Sequence, residues 1–145
     1  MLKLSKRVEY ALLAAQEMAM RPTETISANE IAERYSISQA LVAKVLQQLG
    51  RHGIAKSYAG VNGGYMLERP AGSITIAEII RIIEGASPAI VDCHAADDHD
   101  CSARSTCTIR EPLAILQDRI NATFASMTVE ELASPQQKFV QLEVL

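Results

Sequence analysis

The sequence contains no apolar run approaching the ~18 residues that cross a bilayer. It is therefore expected to be soluble, with no membrane partner. The opening MLKLSKRVEY reaches Lys and Glu before an apolar block or a small-residue cleavage site can form, so it does not read as a secretory signal, and a cytoplasmic location is the expectation. No Ser-His-Asp set, phosphate-binding glycine loop or paired-carboxylate arrangement stands out, and the stretch from Asp97 to Asp100 lacks the spacing of a calcium loop. An enzyme is not expected. Cysteine is scarce as well: there are three, Cys93, Cys101 and Cys107. An odd number in a reducing compartment argues against a disulfide framework and towards metal or redox chemistry.

What is present amounts to one ordinary domain: 145 residues, 48% hydrophobic and 21% charged, enough chain for a real core. The net charge of -3 hides an asymmetry. Residues 1–70 carry nine Lys/Arg against six Asp/Glu, while residues 71–145 carry five against eleven. A mildly basic first half is compatible with a polyanionic partner.

Val8, Leu12, Ala15 and Ala19 recur at helical spacing over Ser5 to Met20, and Pro22 stops that helix. Ser27-Ala28-Asn29-Glu30 reads as a capping box opening a short helix to Arg34. After the turn Tyr35-Ser36-Ile37, Ser38 caps a third helix with an apolar face of Leu41, Val42, Val45, Leu46 and Leu49, ended by Gly50 and Gly53. Two helices joined by so short a turn form a helix-turn-helix. Ile54 to Tyr58 and Tyr65 to Leu67 read as strands around Val61-Asn62-Gly63-Gly64, where the Asn-Gly pair signals a tight reversal with positive backbone angles. The fold class expected is mainly α with a small β-hairpin: a winged helix-turn-helix over residues 1–70.

Further capping boxes are expected at Thr75-Ile76-Ala77-Glu78 and Thr108-Ile109-Arg110-Glu111, and Thr128-Val129-Glu130-Glu131 is expected to cap a final short helix. The first opens a helix to Gly85, so that residues 71–108 comprise a linking helix and a cysteine loop. The second opens a long helix whose Leu113, Leu116, Ile120, Phe124 and Met127 form one stripe. Residues 109–145 are read as this dimerisation helix and a tail. A homodimer is the economical reading, because a winged helix that reads a palindrome needs two half-sites ~34–36 Å apart on double-stranded DNA.

Seven residues separate Cys93 from Cys101 and five separate Cys101 from Cys107. Tight structural zinc sites favour shorter pairs, whereas an iron-sulfur cluster accepts ligands from an extended loop. Zinc held by three thiolates with His94 or His99 competes, as does a thiol oxidation switch.

Leu4-Ser5-Lys6-Arg7-Val8-Glu9-Tyr10-Ala11, Ile31-Ala32-Glu33-Arg34 with Ile37-Ser38, Gly60 to Tyr65, and three cysteines before a long helix together resemble the Rrf-two family of winged-helix iron-sulfur regulators, with its IscR-like, NsrR-like and RirA-like branches. The resemblance runs nearly end to end. It implies a dimeric transcriptional regulator, a repressor in the reading adopted here, whose cysteines hold a 2Fe-2S or 4Fe-4S cluster and whose DNA affinity follows nitric oxide, iron supply or redox state. It places ligands at Cys93, Cys101 and Cys107. The histidine of IscR-like members is replaced by Arg110, which is not a plausible ligand. The acidic ligand that NsrR-like members supply from the other subunit matches Glu9, whose alternative is a surface pair with Lys6. The longer first cysteine interval is similar to RirA.

By position, Ser38, Gln39 and Ala40 begin the recognition helix and Lys44 follows one turn on. Gln39 suits adenine, while Ser38 and Lys44 suit phosphates. Lys56, Ser57 and Tyr58 approach the wing, and Asn62, Gly63 and Gly64 form its tip. Ala59 stands where many relatives carry a minor-groove arginine. The competing functions are the same fold controlled by zinc or thiol oxidation, or an iron-sulfur assembly or carrier protein.

Overall fold

A computed structural model describes residues 2–94 and 101–134. His99, the acidic run Asp97 to Asp100 and the tail beyond Ser134 lie outside the described residues. The chain is mostly helical with one antiparallel hairpin, as expected: α1 (Lys6–Met20), α2 (Ala28–Tyr35), α3 (Gln39–Arg51), β1 (Ala55–Tyr58), β2 (Gly64–Leu67), α4 (Ile76–Glu84), α5 (Arg110–Ser126) and α6 (Val129–Ala133). Short 3-10 turns lie at Ala71–Ser73 and Asp92–His94.

Helix starts follow side-chain oxygens. Ser5, Ser27, Ser38, Thr75 and Thr128 each accept the backbone N–H three residues on, satisfying a donor that the first helical turn leaves unpaired. The reciprocal half of the capping box forms only at Thr128 with Glu131 among the described residues. Elsewhere a stronger partner draws the acid away. Glu30 lies 3.6 Å from Arg21, and Glu78 receives both guanidinium nitrogens of Arg69, at 2.8 and 2.5 Å. The box expected at Thr108 does not form, because α5 begins after Ile109 without a side-chain cap.

Helix α1 is central, packing against α3, α4 and α6. Its Ala11, Ala14 and Ala15 are fully buried, and their small side chains allow close approach on several sides. One core joins Val8 and Met18 of α1, Ile31 of α2, Val42, Leu46 and Leu49 of α3, Ile79 and Ile80 of α4, and Val129 of α6. The start of α4 is tied to the start of α6 by a bridge between Thr75 and Thr128. Helix α3 continues through Gly50 to Arg51 rather than ending there.

The hairpin pairs Ala55 with Leu67 and Tyr58 with Gly64. Its reversal differs from the expected turn over Val61 to Gly64 with positive backbone angles at the Asn62-Gly63 pair. The chain turns over Gly60 to Gly63, with the Gly63 N–H bonded to the Gly60 carbonyl at 3.0 Å. Positive backbone angles fall at Gly60 and Gly64, not at Asn62. Gly63 is needed for closeness instead, since a Cβ there would lie 2.5 Å from the Tyr58 carbonyl oxygen. A third strand element went unrecognised in the sequence: Ile26 exchanges two backbone hydrogen bonds with Tyr65, at 3.0 and 2.8 Å, fastening the wing to the segment between α1 and α2.

Candidate functional site

Two regions carry the residues singled out by the sequence. The first is the outer face of α3 with the hairpin beside it. Ser38, Gln39, Ala40 and Lys44 are exposed, as are Lys56, Ser57, Tyr58 and Asn62, while Gly63 and Gly64 are partly covered. Leu41 departs from its expected place in the core and lies on this outer surface. Helical spacing from Ala40 and Lys44 leads on to Gln47 and Arg51, both exposed and both missed in the sequence, although the same periodicity points to them. Between α3 and the hairpin lies a groove of about 580 Å³ lined by Gln47, Arg51, Lys56, Ser57, Tyr65 and Glu68. Lys44, Arg51 and Lys56 make this surface basic, and the Lys56 ammonium lies 5.6 Å from the centre of the Tyr58 ring. The wing tip is held from below, where the Thr25 hydroxyl donates to the Asn62 carbonyl at 2.6 Å.

Behind α3, the turn between α2 and α3 passes through Ser36 in the left-handed region (φ 54°). The end of α2 is clamped to α1 by Glu17, only 1% exposed, which accepts from Arg34 at 2.7 Å and from the Tyr35 hydroxyl, with Arg21 at 3.9 Å. Burial, then the bond to Glu17, raises the Tyr35 phenol above its usual range, and Glu17 likewise raises Arg34. Sequence reasoning passed over Glu17; its signal was an acid among buried apolar positions with Arg21 one turn on.

The second region follows α4. Cys93 is half-buried in the Asp92–His94 turn, whereas Cys101 and Cys107 are exposed at the two ends of a turn-rich segment; all three thiols are free. Among the described residues, no three His, Cys, Asp or Glu side chains come together in a way that could hold a metal ion. The donor chemistry nonetheless suits a thiophilic centre: three free thiols, beside a His94 whose Nδ1 is buried with no hydrogen-bond partner among the described residues. Glu9 is paired with Lys6 at 2.8 Å within its own helix. This bond raises the Lys6 ammonium above its usual range.

Helix α5 is anchored by a buried amide. Gln117 accepts the Ile90 N–H at 2.8 Å and donates to the Pro88 carbonyl at 2.7 Å and to Asn121 at 3.0 Å, pinning the segment that leads to Cys93. Of the expected stripe, Leu113, Ile120, Phe124 and Met127 are half-covered and Leu116 is exposed, joined on the outer surface by Ile109 and Ile115. No helix among the described residues is long and apolar enough to cross a membrane.

This geometry has close counterparts. The chain is 31% identical over 144 residues to the protein aau3 of Rhizobium meliloti strain 1021, covering 96% of this chain and 91% of that one. It is 28% identical to an HTH-type transcriptional regulator IscR of Xenorhabdus nematophila, over 94% of this chain and 82% of that one. Among solved structures it matches CymR, the global cysteine regulator of B. subtilis, with a TM-score of 0.73 and 28% identity, covering 92% of this chain and 97% of the other. The family described as Rrf2, iron-dependent transcriptional regulator, matches residues 4–135. A winged helix with a basic outer face and a match over nearly its whole length establish that the chain belongs to the Rrf2 family of transcriptional regulators.

Proposed function

We propose that this chain is a homodimeric, cytoplasmic transcriptional repressor that reads a palindromic operator with α3 and the hairpin, and whose DNA affinity is set by an iron-sulfur cluster on the cysteine segment. The observation that carries the DNA-binding half is the exposed, basic face of α3 continued by the hairpin, with Ser38 at the helix start, where base edges are approached. Gln39 reads a base, Ser38 and Lys44 hold phosphates, and Lys56, Ser57, Tyr58 and Asn62 to Gly64 follow the backbone towards the minor groove. The exposed Ile115 and Leu116 on α5, with Ile109 just before it, support a second copy packed along that helix.

The residues that would hold the cluster are Cys93, Cys101 and Cys107 with Glu9, and His94 is the competing fourth donor. Such a cluster supplies a centre sensitive to iron supply, oxidants or nitric oxide. Among the described residues the three thiols are not gathered into one group. A carboxylate contributed by the other subunit would make the cluster a tie between subunits, and its loss would free the two wings to change separation.

A second reading has its own support. The exposed thiols of Cys101 and Cys107 favour control by thiol oxidation or zinc in the same fold.

Native mass spectrometry with absorption spectroscopy on anaerobically purified protein separates the two readings. A sulfide-bearing cluster on a dimer, lost in Cys101→Ser and labile in Glu9→Ala, supports the first. Zinc, or no metal after reconstitution, refutes it. A cluster that survives Glu9→Ala and is lost in His94→Ala moves the fourth ligand. Footprinting on duplexes selected from a random pool tests the DNA half, and the absence of any preferred duplex would favour an assembly or carrier role.

A further inference from the structure

The first turn of α1 lies between the recognition helix and the end of α4, and one side chain reaches both. Arg7 Nη2 donates to Gln48 Oε1 on α3 at 2.8 Å and to the Ile83 carbonyl on α4 at 3.2 Å. The Ile83 carbonyl is one of the last four of α4, which have no partner within the helix, and a guanidinium there also matches the negative end of the helix dipole. Beside it, the Ser5 hydroxyl donates to Glu84, the last residue of α4, while accepting the Val8 N–H at 3.2 Å as the cap of α1. Immediately beyond, Gly85 closes α4 in a left-handed conformation, its N–H bonded to the Arg81 carbonyl at 2.8 Å. From Gly85 the chain runs to Pro88 and Ile90, pinned on α5 by Gln117, and then to Cys93. Gln48 in turn sits on α3 between Gln47, on the outer face, and the buried Leu49.

Apolar packing of Val42, Val45, Leu46 and Leu49 sets which face of α3 is buried and how deeply it is seated, and leaves small adjustments of rotation about the helix axis to directional contacts. The directional contacts are hydrogen bonds. From this we infer that Arg7 is a positioning residue: it ties the rotation of α3 to the end of α4, and so carries the state of the cysteine segment to the DNA-reading face. This rests on the reading of α3 as the DNA-contacting helix and of the cysteine segment as the sensor. Arginine suits the role because the two N–H bonds of Nη2 are held in the guanidinium plane and so aim at two acceptors in a fixed geometry, whereas a lysine ammonium rotates freely on its stem.

The test uses the full-length protein and the tightest duplex that the wild type selects from a random pool. The dissociation constant is measured for the metal-free, reduced protein and again after anaerobic loading with iron and sulfide. Arg7→Ala is expected to shrink the ratio of the two constants by about 5- to 10-fold, the low end of typical couplings, since both bonds are at or near the surface. Gln48→Ala is expected to do the same, and Arg7→Lys to restore it only in part. A second readout needs no metal: DNA binding by the metal-free wild type should slow hydrogen exchange at the Gly85 amide, and in Arg7→Ala this protection should be lost. Unchanged ratio and unchanged protection in Arg7→Ala overturn the inference. If the wild type binds DNA with a ratio of one, the sensor reading fails, and the exchange experiment alone decides whether Arg7 links α4 to α3. Should Arg7→Ala not fold, Gln48→Ala carries both measurements.

Discussion

Glu17 offers the sharpest test of how the helix-turn-helix is held. It is a fully buried carboxylate whose partners are less buried than itself: the Arg34 and Arg21 side chains are 47% and 27% exposed. Removing it with Glu17→Ala lets both guanidinium groups return to water, so the 3–5 kcal/mol penalty for stranding a buried charge largely does not apply. Two terms remain. A cavity of roughly 50–80 Å³ costs about 1–2 kcal/mol, and the charge-assisted bonds from Arg34 and Tyr35, net of the carboxylate's desolvation, contribute about 1–2 kcal/mol. The expected loss is therefore about 2–4 kcal/mol for Glu17→Ala. Glu17→Gln keeps the volume and loses the charge, for about 1–2 kcal/mol. Glu17→Met fills the volume and loses the bonds, but it buries apolar surface in their place, which offsets that loss, so it should stay within ~1 kcal/mol of wild type. Urea unfolding at one fixed protein concentration, with unchanged m-values, measures all three. Met as damaging as Ala would refute the reasoning, because it would mean that the ion pair itself, not the filled space, stabilises the clamp. With stability preserved, Glu17→Met should still lower the preference for a selected duplex over a random one, since the directional tie between α1 and the end of α2 is gone.

Tyr35 carries a pH signature. Its folded-state pKa is raised, by burial first and the Glu17 bond second, so its contribution is fully present below the unfolded value near 10 and is lost as pH rises through the folded value. Urea unfolding of wild type and Tyr35→Phe from pH 8 to 11 should show the wild type losing stability relative to the variant above pH ~10. Thr128→Ala should cost ~1 kcal/mol by removing a complete capping box, whereas Thr108→Ala should change stability by less than ~0.5 kcal/mol, since Thr108 caps nothing. Thermal unfolding of the two variants side by side decides this. Lys44→Ala and Arg51→Ala should each weaken binding about equally across duplex sequences and reduce the slope of log K against log salt by about 1. Gln39→Ala should instead relax discrimination at one base pair by ~1–3 kcal/mol, seen by binding to single-position duplex variants.

The helices were legible because their signals are local. Apolar spacing places α1, α3 and α4 to within a residue or two, and the capping hydroxyls of Ser27, Ser38, Thr75 and Thr128 sit where the sequence puts them. What the sequence hid was long-range competition. Glu30 and Glu78 have the spacing to close capping boxes, yet each is drawn to an arginine outside its helix, Arg21 or Arg69. The third strand of the wing was invisible because Ile26 stands alone, with no alternation to announce it, and pairs only because Gly64 lets Tyr65 approach; a Cβ on Gly64 would lie 2.6 Å from the Ile26 carbonyl oxygen. The exposure of Ser38, Gln39, Ala40 and Lys44 on the outer face of α3 was readable from position in the helix-turn-helix, and that of Arg51 would have followed from one more turn of the same periodicity.

The cysteine segment shows the opposite case, in which composition was legible and arrangement was not. Its three thiols announce themselves in the sequence, but nothing local determines whether they meet. Helix α5 explains why the answer depends on more than this one chain. It is 17 residues long, yet Gln117 is its one buried residue, while Ile115 and Leu116, with Ile109 just before the helix, are exposed. A helix that buries one amide and packs Phe124 and the adjoining Met127 only partly against the core leaves apolar surface exposed, and that surface gains most from a second copy. Packing that copy along α5 would fix the helix and, through Gln117, the segment entering Cys93. On this reading dimerisation and assembly of the sensor are one event, and the recognition helix feels it through the end of α4.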